Sequence, residues 1–169
     1  METRRSLVGC DPVAILYATG CGAVQAAASR THLGGIGITV KLSTLSRPEV
    51  AHQLARLCAS VASENKGRDV LLLDLRKITP LVDFFVIASG TSRRQIHTMA
   101  DEIDRTMNLQ GEEKIGIEGY GESRWVLLDY GDIVVHLFDD ETRQYYDLEN
   151  LWGESPRIDW AVARSASED

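Results

Sequence analysis

At 169 residues, the chain is long enough for one domain with a real hydrophobic core and some spare length. Hydrophobic residues at 44% and charged residues at 25% are ordinary for a water-soluble fold and point to neither a membrane class nor a disordered one. The net charge of −7 is split unevenly, +3 over residues 1–47 and −10 over the remainder, so the main body repels phosphate and a dominant nucleic-acid backbone contact is excluded.

Residues 1–45 stand apart from the rest. Arg4 and Arg5 precede a short apolar stretch ending in Cys10, too brief for a signal-peptide core of roughly 7–15 residues. From Pro12 to Ser29 there is no charge, but Ala, Gly, Thr and Gln dilute the segment below the ~20 strongly apolar residues a span needs. The readings left open are a poorly ordered extension or over-long start, a targeting leader, and ordered structure. Cys10, Cys21 and Cys58 are odd in number without C-x-x-C spacing, which argues against a disulfide framework and fits a reducing, cytoplasmic compartment. His32, His52, His97 and His136 are scattered, so neither metal nor cofactor is implied.

Ser46-Arg47-Pro48-Glu49 reads as a capping box with proline in the first turn, and Val50, Leu54, Leu57, Cys58 and Val61 recur at helical spacing. A helix is expected over 48–65, closed by Asn65-Lys66-Gly67. Val70 to Leu75 is a continuous apolar run, expected as a buried strand, and Ile78-Thr79-Pro80 breaks it. Phe84 to Ala88 is a second strand. Ser92-Arg93-Arg94-Gln95 opens a second helix over 92–108, with Ile96, Met99, Ala100, Ile103 and Met107 on one face. A short strand at 115–118 and a Gly119–Gly121 turn lead to Trp125–Phe138, two strands around a glycine-containing tight turn. Two short helices capped by Asp139 and Asp147 complete an α/β domain over 46–152, a mixed sheet with flanking helices. Residues 153–169 are polar apart from Trp160 and are expected to fray.

A two-residue turn at 130–131 or 131–132 gives the same face parity, because both pair residues whose numbers sum to an odd value. Val126, Leu128, Tyr130, Ile133, Val135 and Leu137 therefore share the core face. The other face carries Trp125, Leu127, Asp129, Val134, His136 and Phe138, too apolar for plain solvent and too polar for a dry core. Either the terminal helices cover it or it is an apolar patch with a polar rim, the pattern of a protein-binding site.

Catalytic alternatives are weaker. Ser89-Gly90-Thr91-Ser92, with Arg93 and Arg94, offers a strand-to-helix turn for phosphate, but no P-loop pattern is present. Asp101, Glu102 and Asp104 read as a solvated helix face, Asp74 and Asp83 as turn and cap residues, and Glu122 and Ser123 as turn residues. No nucleophile motif occurs.

Three stretches in order resemble the ribosomal silencing factor family, also called Iojap-like: Asp83–Ser92, Gly119–Phe138 and Arg143–Trp152. The resemblance implies a nucleotidyltransferase-like fold without enzymatic activity, since Ile115-Gly116-Ile117-Glu118 lacks the paired carboxylates that active members of that superfamily carry. It further implies a translation repressor that binds the large ribosomal subunit through its basic intersubunit-face protein, number fourteen of that subunit, and sterically blocks subunit joining. Little nucleic-acid contact, no membrane and a possible homodimer when free are expected with it. A role in large-subunit assembly, or a diverged nucleotide-binding enzyme, is the alternative. The expected docking residues are Trp125, Leu127, Asp129, Val134, His136 and Phe138, with Arg143, Tyr146 and Trp152 nearby, ringed by Asp129, Asp132, Asp139, Asp140 and Glu141.

Overall fold

A computed structural model describes residues 46–161; the readings made for 1–45 and 162–169 lie outside the described residues. The order is α1 (Arg47–Glu64), β1 (Arg68–Asp74), β2 (Phe84–Ser89), α2 (Arg93–Leu109), β3 (Gly116–Glu118), β4 (Trp125–Asp129), β5 (Ile133–Phe138), α3 (Asp140–Tyr146) and α4 (Leu148–Leu151). The strands form one mixed sheet in the order β1-β2-β5-β4-β3, in which β2 and β5 run parallel and the other neighbours antiparallel. Each element expected from periodicity is present within two residues of its expected ends, apart from the last two helices, whose limits the sequence left open.

Capping explains the starts of the long helices. The Glu49 carboxylate accepts from both the Ser46 N–H and its hydroxyl at 2.8 Å. Ser92 Oγ accepts from the Gln95 N–H at 3.2 Å. Gln95 departs from the usual box: its Oε1 takes the Thr91 N–H, and its amide donates to the carbonyls of Asn65 and Lys66, tying α2 to the end of α1.

The β4–β5 turn settles at Gly131-Asp132. Tyr130 N–H bonds to the Ile133 carbonyl at 3.0 Å, and Asp129 accepts from the Gly131 N–H. Gly131 has φ +83 and no other positive φ occurs in the turn, the pattern of type II′ with glycine at its first central position. Register is then as expected, Trp125 opposite Phe138 and Leu127 opposite His136.

α1 and α2 cover one face of the sheet. There Val126, Leu128, Tyr130, Ile133, Val135 and Leu137 join Phe84, Val86, Ala88 and Leu72 in one core with Leu54, Cys58, Ile96, Met99 and Ile103. Burial drives the Cys58 thiol up to about 12, so this cysteine is an inert apolar filler.

The segment after Trp152, expected to fray, is over its first part a strap along β1. Asp74 N–H bonds to the Pro156 carbonyl at 2.9 Å and Ile158 N–H to the Leu72 carbonyl at 2.8 Å. Trp160 donates its indole N–H to the Val70 carbonyl at 3.0 Å. Unpaired backbone groups on β1's outer edge are what the strap satisfies.

Candidate functional site

The second face of the sheet is divided between a covered half and an open one. On β5, Val134, His136 and Phe138 are at most 1% exposed, and Phe85 and Ile87 of β2 lie beside them equally buried. These three residues of the expected docking set are therefore sealed inside. The cause lies just downstream in the chain: α3 and α4 fold straight back over β5 and β2. The Tyr146 ring sits 4.7 Å from Trp125 and the Trp152 ring 5.6 Å from Phe85, edge to face. Burying two aromatics and three aliphatic or imidazole side chains here is worth roughly 1.5–3 kcal/mol per large apolar group, more than enough to hold two short helices down.

His136 shows how dry that half is. Trp125 Nε1 donates to its Nδ1 at 3.2 Å, which makes Nε2 the protonated nitrogen, and Nε2 is buried without a partner among the described residues. Burial lowers its pKa to about 3, so it is a neutral spacer between Phe85 and Trp125. A general base it is not: nothing from solvent reaches it.

Arg143, also expected near the partner, is instead an internal latch. Its Nη1 donates to Ser89 Oγ, Nη2 to the Asp69 carbonyl and Nε to Glu149 Oε1, each at 2.9 Å. One guanidinium thus clamps α3 to the ends of β1 and β2 and to α4, a geometry that suits its planar fork of donors. Of the two expected caps, Asp139 behaves as such, accepting from the Thr142 N–H at 2.7 Å. Asp147 does not: it lies in the left-handed region at φ 43 and its carboxylate takes the Asn150 side-chain amide.

The open half belongs to β4 and β3. Trp125, Leu127 and Asp129 are half-buried, as is Tyr146 at its margin; Trp152, over Phe85 of β2, belongs to the covered half. Glu118, paired with Leu127 across β3 and β4, is exposed, and so are Tyr145 and Leu151. Glu118, Tyr145 and Leu151 are additions that sequence reasoning missed. Glu118 was signalled by its parity with Gly116 on β3. The acidic ring is weaker than expected, because Asp132 pairs with Arg47, Asp140 with Arg68, and Asp139 and Glu141 with Arg124. Exposed pairs like these are worth little individually, yet they cancel much of the local field.

The groups weighed for catalysis are engaged elsewhere. At the Ser89–Ser92 turn, Gly90 N–H donates to the Phe138 carbonyl, Thr91 N–H and hydroxyl donate to Gln95, and Ser89 Oγ accepts from Arg143. The turn's own N–H groups at Gly90 and Thr91 are thus taken, and what a phosphate could still meet lies in the first turn of α2. Asp101 accepts from the Tyr120 hydroxyl, Asp104 from Lys114 and Tyr130, and Glu102 from Arg105. Asp74 is held by Arg76, whose hydrogen bond keeps its carboxyl below the ordinary range. Burial and the neighbouring Asp132 raise that of Asp83. Among the described residues no three acids, histidines or cysteines gather as metal ligands.

Ser123, read only as a turn residue, has φ 58 and is buried, its hydroxyl bonded to the Tyr120 carbonyl and to His97 Nε2. His97 stacks on the Tyr120 ring at 4.2 Å. Gly119, with φ +70, lets the loop pass so close to Trp125 that a Cβ there would lie 1.9 Å from its carbonyl oxygen. This knot fixes the loop that enters β4 and so aims Trp125.

Comparison with known proteins agrees on one family. The family described as "Ribosomal silencing factor during starvation" matches residues 48–169. A curated relative, "Ribosomal silencing factor RsfS" of Halalkalibacterium halodurans, is 38% identical over 107 residues, covering 63% of this chain and 92% of that protein. "Mitochondrial assembly of ribosomal large subunit protein 1" of Mus musculus is 31% identical over 99 residues, which cover 57% of this chain and 43% of the mouse protein. Among solved structures, a Chromobacterium violaceum protein superposes with a TM-score of 0.60 at 33% identity, covering 68% of this chain and 95% of that one.

Proposed function

The chain belongs to the ribosomal silencing factor family, and from that premise we propose that it acts without catalysis, by docking on the large ribosomal subunit and obstructing the small one. The observation that carries the reading is the strip left open on β4 and β3. There a half-exposed Trp125 and Leu127 stand beside the free carboxylate of Glu118. Aromatic anchors beside charge are the usual make-up of a binding hot spot. Each ~100 Å² of apolar surface buried there would yield about 2.5 kcal/mol gross, of which association consumes a large part. A specific but reversible complex is the outcome.

The partner that fits is a basic protein on the intersubunit face, the protein numbered fourteen in the large-subunit series. Carboxylates at the margin speed and orient the encounter more than they tighten it. The setting is the cytoplasm, and the same strip serves as a self-association surface while the protein is free. At the Ser89–Ser92 turn the N–H groups of Gly90 and Thr91 are already taken within the chain, which speaks against a nucleotide-binding enzyme. The name of the mouse relative favours a second use of the same surface, in large-subunit assembly.

The test is subunit joining. Isolated large subunits preincubated with excess protein and then mixed with small subunits are resolved on a sucrose gradient. The reading expects the assembled-ribosome peak to shrink in proportion to bound protein. An undiminished peak with the protein bound to large subunits would leave assembly as the role, and no binding at all would remove both.

A further inference from the structure

The two edges of the sheet are finished differently. β1's outer edge is closed by the strap, through Asp74, Leu72, Pro156 and Ile158 and a bridge between Leu73 and Arg157. β3 has β4 on one side and, among the described residues, no strand on the other. An edge strand turns alternate N–H and C=O groups outward and is a template for another strand. Gly116-Ile117-Glu118 has no lysine, proline or bulge to blunt it; its shortness and the Glu118 carboxylate are what limit and select the strand it can take. Its neighbour Lys114 is held at 2.9 Å by Asp104.

Approach to this edge is open. A Cβ on Gly116 would meet no atom within 4 Å, so among the described residues the sheet face above this strand is uncovered too. Ile115, at the strand's entry, is 68% exposed, a bulky apolar side chain without cover. Glu118 in the strand and Glu113 and Glu122 on either side of it in the chain are all exposed, and none is paired with a cation among the described residues. A bare edge, an uncovered aliphatic and three free carboxylates together specify the chemistry of what would complete them.

We propose that the β3 edge accepts an extended, lysine- or arginine-bearing segment of a protein partner, which adds to the sheet as a sixth strand. Main-chain hydrogen bonds would set its register, the cations would face Glu113, Glu118 and Glu122, and an apolar residue would cover Ile115. With three residues in β3, about 10 Å of strand, the contact is short, so binding is modest, reversible and sensitive to salt. The assignment does not rest on ribosome docking, because these groups are present whatever meets the sheet's face.

A titration of the isotope-labelled full chain, monitored by amide NMR, tests it with no ribosome present. The probes are acetylated, amidated Lys-Val-Lys-Val-Lys, the same peptide N-methylated at every backbone amide, and Glu-Val-Glu-Val-Glu. Expected are saturable shifts centred on residues 115–118 with the basic peptide alone, at least tenfold weaker binding on N-methylation, and several-fold weaker binding by Ile115→Ser or by Glu113→Lys/Glu122→Lys. These positions are exposed, so the variants keep the fold. Equal binding of the N-methylated peptide would show adsorption by side chains and overturn strand addition. Absence of shifts at 115–118 would overturn the site itself.

Discussion

The second face of the sheet holds two halves that began as one pattern. Along β4 and β5 the residues alternate in the same way, apolar and aromatic with a single polar interruption per strand: Asp129 in one, His136 in the other. On β5 the face ends at most 1% exposed under α3 and α4; on β4 and β3 it stays half open. The difference is made by the two short helices downstream of β5, not by the strands themselves. In the covered half Trp125 answers the histidine's acceptor nitrogen, whereas in the open half the Asp129 carboxylate is only half-buried and takes the Gly131 N–H. One half is core, and the other is surface available for work.

That contrast predicts that substitutions divide by half rather than by residue type. The largest effect belongs to Phe138→Ala in the covered half, with a loss of about 3–5 kcal/mol from the cavity it leaves. Urea unfolding should show it, and ribosome binding should fail only where folding fails.

Next is acid. The folded-state pKa of His136, about 3, lies below its ordinary 6.5, so below pH 6.5 the unfolded chain gains a proton the folded chain refuses. Its contribution is fully present above that pH and is lost as pH falls from 6.5 toward 3. The slope is ~1.4 kcal/mol per pH unit, or roughly 2–3 kcal/mol by pH 4.5. His136→Leu should remove that component of the pH dependence, measured by the same unfolding curves; an unchanged profile would mean the imidazole is hydrated after all.

Leu127→Ser in the open half should cost only about 1 kcal/mol of stability while weakening large-subunit binding at least tenfold. The smallest stability change is expected for Glu118→Lys, within about 0.5 kcal/mol, as for other exposed sites. Its binding should nonetheless slow several-fold at low salt, with the gap to the parent closing as salt is added, which stopped-flow association would show. If Phe138 and Glu118 substitutions behaved alike, the division into halves would be wrong.

The sheet could be read from the sequence because its signals are local. Face parity comes from period two and an odd pairing sum, and both long helices announce themselves through Ser46-x-x-Glu49 and Ser92-x-x-Gln95. How far the expected terminal helices cover the second face stayed open because α3 and α4, of seven and four residues, are too short to show a helical period. Arg143 looks like any surface arginine until Asp69 and Ser89, both distant in the chain, converge on it with nearby Glu149. The strap did leave a trace: Ile158 and Trp160, two apart and just after Pro156, have the spacing of a short edge strand.

The most direct test is cosedimentation of the Leu127→Ser/Glu118→Lys protein with purified large ribosomal subunits, after its thermal unfolding has been matched to within a few degrees of the parent. Loss of the protein from the ribosomal pellet is the expected result. Retention at the parent's level would contradict the open strip as the docking surface, for the chain would then be gripping the subunit by some other face.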